Sequence, residues 1–234
     1  MPQVVVEGCD EPTFDSLHKV IVKLENGETK KITFAICVIA AGAQSGHIAS
    51  LANIGSGPGP LKVPLPVEPR KRYVFNIHCN NGPGLNTPLT VDPTGTYFRR
   101  EGLGGNYICG VCPPPEEEPD INNLDVDHKF FEEKIWPVIA HRVPAFEAIK
   151  VKSAWAGYYD YNFFDRNGII GPHPGYLNLY LATGFSGHGL QQAPAVGRAI
   201  MELIVDGSFR TIDLSKLGYQ RILNREPAYE LNIV

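Results

Sequence analysis

No apolar run in these 234 residues approaches the roughly 20 needed to cross a bilayer as a helix, so the sequence contains no candidate membrane span. Basic charge is also scarce. Lys and Arg number 21 against 25 Asp and Glu, a net charge of -4, which leaves no positive field to gather nucleic acid. The five cysteines (Cys9, Cys37, Cys79, Cys109 and Cys112) are an odd number in a chain long enough to bury its own core. A disulfide scaffold is therefore not expected, and the usage suits a reducing compartment. Met1-Pro2-Gln3 runs straight into Val4-Val5-Val6, without an apolar signal core or an Arg-rich amphipathic leader, so no targeting segment is read there. The G-x-G within GSGPGP (55–60) is followed by no helical pattern. It is rejected as a dinucleotide fingerprint, which needs a strand before it and a helix after.

What is present reads as a mixed α/β globular chain, 43% hydrophobic. Residues 19–24 alternate, Asn26-Gly27 supplies the positive φ of a tight turn, and residues 31–34 return, which predicts a hairpin. Residues 35–41 (AICVIAA) are apolar throughout and predict a strand covered on both faces; Gly42-Ala43-Gln44-Ser45 and a helix over 46–54 follow. Such a strand–turn–helix unit brings backbone N–H groups to the carboxyl end of a strand, where open α/β sheets bind ligands. Between residues 70 and 111, RKRYVFNIH, TPLTVD, TYFRRE and NYICGV are short strands broken by turns, an antiparallel sheet. PPPEEEPD (113–120) is a stiff solvated loop. Residues 124–141 read as one helix with Phe130, Phe131, Ile135 and Ile139 inward and a kink at Pro137.

Cys109-Gly110-Val111-Cys112 lacks a second ligand pair at zinc-finger spacing, and it precedes three prolines instead of opening a helix. It reads as strand-end thiols, as does Cys79 after His78. Residues 153–161 (SAWAGYYDY) form an aromatic strand; DRNGIIG (165–171) gives a turn and a short strand, and 177–183 another. Then ATGFSGHGLQQAP (182–194) brings bare backbone and a histidine to a helix start. In the helix from Leu190 to Val205, Leu190, Ala193, Val196, Ile200, Leu203 and Ile204 share a face, with Gly197 expected to allow close packing. A helix opening at a glycine loop points free N–H groups and a partial positive charge at whatever lies in front, which suits an anionic or electron-rich ligand edge.

Taken in order, AICVIAAGAQS, LPVEPRKRYVF, SAWAGYYDYN with DRNGIIGPHP, and LYLATGFSGHGLQQAPAVGRAI resemble the D-amino acid oxidase and sarcosine oxidase group of FAD enzymes, from about residue 35 to 214. The resemblance implies the carboxyl half of a glutathione-reductase-like FAD-binding fold with an antiparallel substrate-domain sheet. Residues 1–60 would belong to the FAD-binding layer, 61–155 to the substrate domain, 156–214 to the FAD-binding layer again, and 215–234 to a carboxyl-terminal tail. It implies non-covalent FAD near Ala41, Gly42, Gly184, Phe185, Ser186, Gly187, His188 and Gly189, since GFSGHG and SAWAGYYDYN carry no cysteine for a covalent link. A fixed dipole at the ring's N1 and C2 carbonyl edge would stabilise the charge gained on reduction. Hydride transfer from the carbon beside an amine is the implied reaction, with Tyr158, Tyr159, Tyr161, Arg99 and Arg100 as substrate-facing candidates. The resemblance further implies a mitochondrial setting and complex I assembly intermediates as partners.

Against that pattern, the G-x-G-x-x-G strand that cradles the FAD pyrophosphate and the acidic residue that follows it are absent here. Lys71-Arg72 also replaces the Gly-Gln usual after the LPVEP-like stretch. The chain is thus expected to be the carboxyl portion of a longer protein, such as a truncated isoform. Three readings stay open: an amine-oxidising flavoenzyme, a non-enzymatic assembly factor on an inherited flavin fold, or a partial fold that binds no flavin.

Overall fold

The computed structural model describes residues 3–8 and 16–231. Cys9 and residues 232–234 of the expected tail lie outside the described residues. Strands β1 (Gln3–Gly8), β2 (Leu17–Lys23) and β3 (Thr29–Thr33) form an antiparallel sheet in that order. The hairpin turns at Gly27, whose φ of 85° needs no Cβ, and the Asn26 side chain accepts the Glu28 N–H at 3.0 Å.

The expected strand over 35–41 contracts to β4 (Cys37–Ile39) and is not covered on both faces. It stands at one edge of the sheet β10-β11-β4, and Ile36 and Val38 are 43% and 39% exposed. Its other face is covered, with Ile39 buried and Cys37 packed in the core; the apolar run signals a strand that a further element would have to cover on the Ile36 and Val38 side. A single turn then leads to α1 (Ser45–Leu51).

Strand β5 (Val67–His78) alternates buried and half-buried positions from Lys71 onward. β6 (Thr90–Val91), β7 (Tyr97–Glu101) and β8 (Asn106–Gly110) follow as antiparallel neighbours, and with β9 (Lys150–Asn162) they make a five-stranded sheet ordered β6-β7-β8-β5-β9. The helix expected at 124 begins at His128, where the Asp127 side chain accepts the Lys129 N–H at 2.9 Å. It is α2 (His128–Phe130), a π turn (Phe131–Ile135) and α3 (Trp136–Arg142). Pro137 cannot donate into the preceding turn, and the π turn just before it takes up the mismatch. Phe131, Ile135 and Ile139 are buried against Tyr73, Phe75, Ile77 and Tyr107 of the sheet.

After β9 come β10 (Ile169–Pro172), antiparallel to β11 (Leu179–Thr183), and β11 runs parallel to β4. Helix α4 (Gly189–Asp206) packs Val196 and Ile200 with Ile170 of β10. Leu190 and Ala193, expected inside, are exposed, Leu190 at 90%; the buried face of the helix begins at Val196. Gly197 faces open space, so it makes no close packing contact. Helix α5 (Gln220–Asn224) is anchored by a buried pair in which Arg221 Nε and Nη2 donate to the two Asp165 oxygens at 2.6 and 3.0 Å.

The described chain divides into two compact units. Unit 1 holds the residues up to Pro69 and those from Asp160 onward; unit 2 is Arg70–Tyr159. Residues 61–69 thus fall in unit 1, as do residues 215–231.

Candidate functional site

The parallel pairing of β4 with β11 sets their carboxyl ends side by side in unit 1, so the turn after β4 and the glycine loop after β11 become neighbours. A hydrogen bond ties them together: Thr183 Oγ1 donates to Ser45 Oγ at 2.7 Å, with both residues fully buried. The turn carries Gly42 at φ 53°, and a Cβ there would meet nothing within 4 Å. Ala41 precedes it as the N-terminal cap of the turn.

The loop is held by the end of β9. Asp160 Oδ2 accepts the N–H groups of Gly184 and Phe185 at 2.7 and 3.1 Å. The Asp160 carbonyl accepts the Ser186 N–H at 3.0 Å, and Ser186 Oγ in turn accepts the Asn162 N–H at 3.0 Å. Ser186 holds a left-handed φ of 48° inside this clamp, a strained state that only the surrounding bonds sustain. The N–H groups of Gly184 and Phe185 are therefore turned to protein. Gly184, with φ 76°, lies within 3.1 Å of Val67 for any added Cβ.

What the loop offers outward comes later in the sequence. Gly187 at φ 98° has open space where a Cβ would be. His188 is the N-terminal cap of α4 and gives it no side-chain capping bond. Its Nδ1 is buried without a partner. Gly189 opens an 18-residue helix whose first-turn N–H groups have no such cap. An unmet ring nitrogen, uncapped amides and two Cβ-free openings at Gly42 and Gly187 fit the electron-rich edge of a flavin ring. A pyrophosphate cradle of the G-x-G-x-x-G kind is not among these residues.

The substrate-side candidates scatter. Tyr158 donates to the Ile121 carbonyl at 2.6 Å on the helix-covered side of unit 2. Arg99 pairs with Glu101 at the surface. Arg100 is a structural staple, donating to the carbonyls of Pro83 and Leu103 at 2.8 and 2.9 Å. Tyr161 is half-buried in unit 1. Tyr159 lies with Arg72, whose Nη2 donates to its phenol oxygen at 2.9 Å while Nη1 and Nη2 grip Glu118 at 2.7 and 2.9 Å. Burial would lower the Arg72 pKa, and the hydrogen bond to Glu118 together with Tyr159 and Cys112 outweighs it; burial holds the Tyr159 phenol up and neutral.

Sequence reasoning missed Asp160 and Arg72 as organisers. Asp160 was signalled by an acid inside an aromatic strand, and Arg72 by its departure from the usual Gly-Gln. Burial pushes the Cys109 thiol up to about 12, and no cluster of metal ligands occurs among the described residues.

A family model described as FAD dependent oxidoreductase matches residues 4–203. The chain belongs to this family. FAD-dependent oxidoreductase domain-containing protein 1 of Xenopus laevis is 55% identical over 99% of this chain and 47% of its own length, and the Drosophila melanogaster homologue is 51% identical over 97% and 44%. The chain thus spans about half the length of these curated relatives. Among solved structures, L-proline dehydrogenase from P. horikoshii superposes with a TM-score of 0.75 at 26% identity, covering 96% of this chain and 55% of that one. Glycine oxidase from Geobacillus kaustophilus reaches 0.70 at 17% identity over 93% and 51%, which speaks to the fold. Both are members of the FAD-dependent oxidase fold that the antiparallel sheet and parallel β4–β11 pair indicate.

Proposed function

We propose that this chain supplies the flavin-ring end and the substrate-domain sheet of an amine-oxidising flavoenzyme that holds FAD non-covalently. The observation that carries the reading is the junction of β4 and β11, where Thr183–Ser45 joins the two loops, the start of α4 is uncapped and the buried His188 Nδ1 has no partner. FAD, when bound, accepts the hydride from the carbon beside the amine. The chain's own residues fix where that happens. Asp160 sets the loop, Ser186 locks it to β9, and the α4 dipole and His188 would hold the ring edge and stabilise the negative charge it gains on reduction. Catalysis in this reading rests on position and on a fixed field, not on a protein acid or base.

The names of related proteins support an amine substrate: L-proline dehydrogenase, glycine oxidase and, at 26% identity over 63% of this chain, monomeric sarcosine oxidase from Arthrobacter. The test is anaerobic mixing of the FAD-loaded protein with sarcosine, glycine, L-proline and larger N-substituted amino acids. Bleaching of the flavin visible band by one of them is expected; no bleaching by any amine would sink the enzymatic reading.

A second reading, assembly factor rather than enzyme, is favoured by one feature. Ile32, Ile36 and Val38 are exposed around an apolar groove of about 310 Å³ beside β4, larger than a lone surface side chain explains. We propose a mitochondrial setting and complex I assembly intermediates as partners on the sequence resemblance alone. Loss of complex I with normal flavin bleaching activity in a Val38→Lys protein would support this role, and unaltered complex I would count against the groove.

A further inference from the structure

The outward face of the unit 2 sheet carries groups that the flavin site does not use. Side chains alternate between the two faces of a strand. Tyr73, Phe75 and Ile77 of β5 face the helix-covered core, and Ala154 and Ala156 of β9 pack against the same cluster. The opposite face therefore holds Arg72, Val74 and Asn76 from β5 and Trp155, Gly157 and Tyr159 from its neighbour β9. Trp155 is 45% exposed there.

Three features of this face call for a ligand. A Cβ built on Gly157 would meet no atom within 4 Å, so the strand leaves a gap between Trp155 and Tyr159. A glycine inside a strand often marks close approach by something else. Asn76 Oδ1 is a buried acceptor without a partner, and Arg72 Nε is a buried donor without one. Arg72 cannot swing to satisfy itself, because Glu118 and Tyr159 hold its other nitrogens and its guanidinium lies 4.8 Å from the Tyr159 ring centroid.

The spacing of these two unmet groups sets the size of what would fit. Four residues apart on one strand, Arg72 and Asn76 are separated by roughly 13 Å of rise. Glycine, sarcosine and proline are too short to reach both. We propose that this face binds an elongated amino compound of peptide-like length, with an oxygen acceptor at Arg72 Nε and an N–H donor at Asn76 Oδ1. Its flat or apolar middle lies over Gly157 beside Trp155. The proposal deepens the amine-oxidase reading by naming the substrate class, and it rests on that reading for turnover but not for binding.

The test is an intrinsic fluorescence titration of the 234-residue chain, which has two tryptophans, with the tripeptide glycyl-phenylalanyl-glycine, N-benzylglycine, glycine and L-proline. The expected result is a saturable change with the tripeptide, an affinity at least about tenfold above that for glycine or proline, and loss of the signal in Trp155→Phe. Gly157→Val, which fills the gap, and Asn76→Leu, which removes the acceptor, should each weaken tripeptide binding about tenfold with an unchanged circular dichroism spectrum. Equal response to glycine, no saturable response to the tripeptide, or full binding in Gly157→Val would overturn the proposal. Because the readout needs no flavin, flavin binding without a Trp155 response removes this proposal alone, whereas a Trp155 response without flavin binding removes only the flavin reading.

Discussion

Asp160 stands at the end of an aromatic strand and accepts two consecutive backbone N–H groups of the glycine loop. Asp160→Ala leaves both donors unmet and should cost about 2–4 kcal/mol of stability, measured by urea unfolding, together with weaker flavin retention. Asp160→Asn keeps an acceptor oxygen and should lose about half as much. His173 is fully buried, its Nδ1 accepts the Gly175 N–H at 3.0 Å, and Nε2 has no partner. Burial lowers its pKa from 6.5 to about 4. The unfolded chain therefore binds the proton first as pH falls, so stability is full above pH 6.5 and declines toward pH 4, by about 3 kcal/mol in all. Glu202 follows at lower pH. Hydrogen bonds from the Thr211 hydroxyl and the Arg210 and Thr211 N–H groups hold its carboxyl near 2 instead of 4.5, and that contribution is lost as pH falls through this lower window. His173→Phe should remove the slope between pH 6.5 and 4 in a series of melting temperatures, leaving the more acidic loss in place.

Elements were legible where local chemistry decides them and misread where a partner element decides. The Asn26-Gly27 hairpin and the glycine loop before α4 follow from backbone rules that need only a few neighbouring residues. Arg221 shows the opposite case. Nothing near it in sequence signals that it pairs with Asp165, 56 positions away, and docks α5, with the Ala228 N–H donating to the same carboxylate at 3.0 Å. Arg221→Ala leaves a buried carboxylate without its cation and should cost about 3–5 kcal/mol, seen as a lower urea midpoint and faster hydrogen exchange across α5. In the candidate site, the two loops were legible as glycine turns after apolar strands. Their tie through Thr183 and Ser45 was not, since a hydroxyl pair 138 residues apart carries no periodic signal.

For the whole molecule, the decisive feature is the edge at β4, with which no further strand pairs among the described residues. An apolar strand with its outer edge unpaired offers a template for another strand. Val38→Lys places a charge at a position already 39% exposed, so it should change stability by no more than about 0.5 kcal/mol while reducing aggregation in light scattering. The chain spans about half the length of its curated relatives, and under the proposed function the groups at the ends of β4 and β11 are the ones that face the flavin ring. Gel filtration after incubation with excess FAD, read by visible absorbance, tests that claim most directly. The flavin band is expected to co-elute with the folded chain, and to fade in Asp160→Ala. A chain that elutes folded but colourless would contradict the assignment of these loops to the flavin ring.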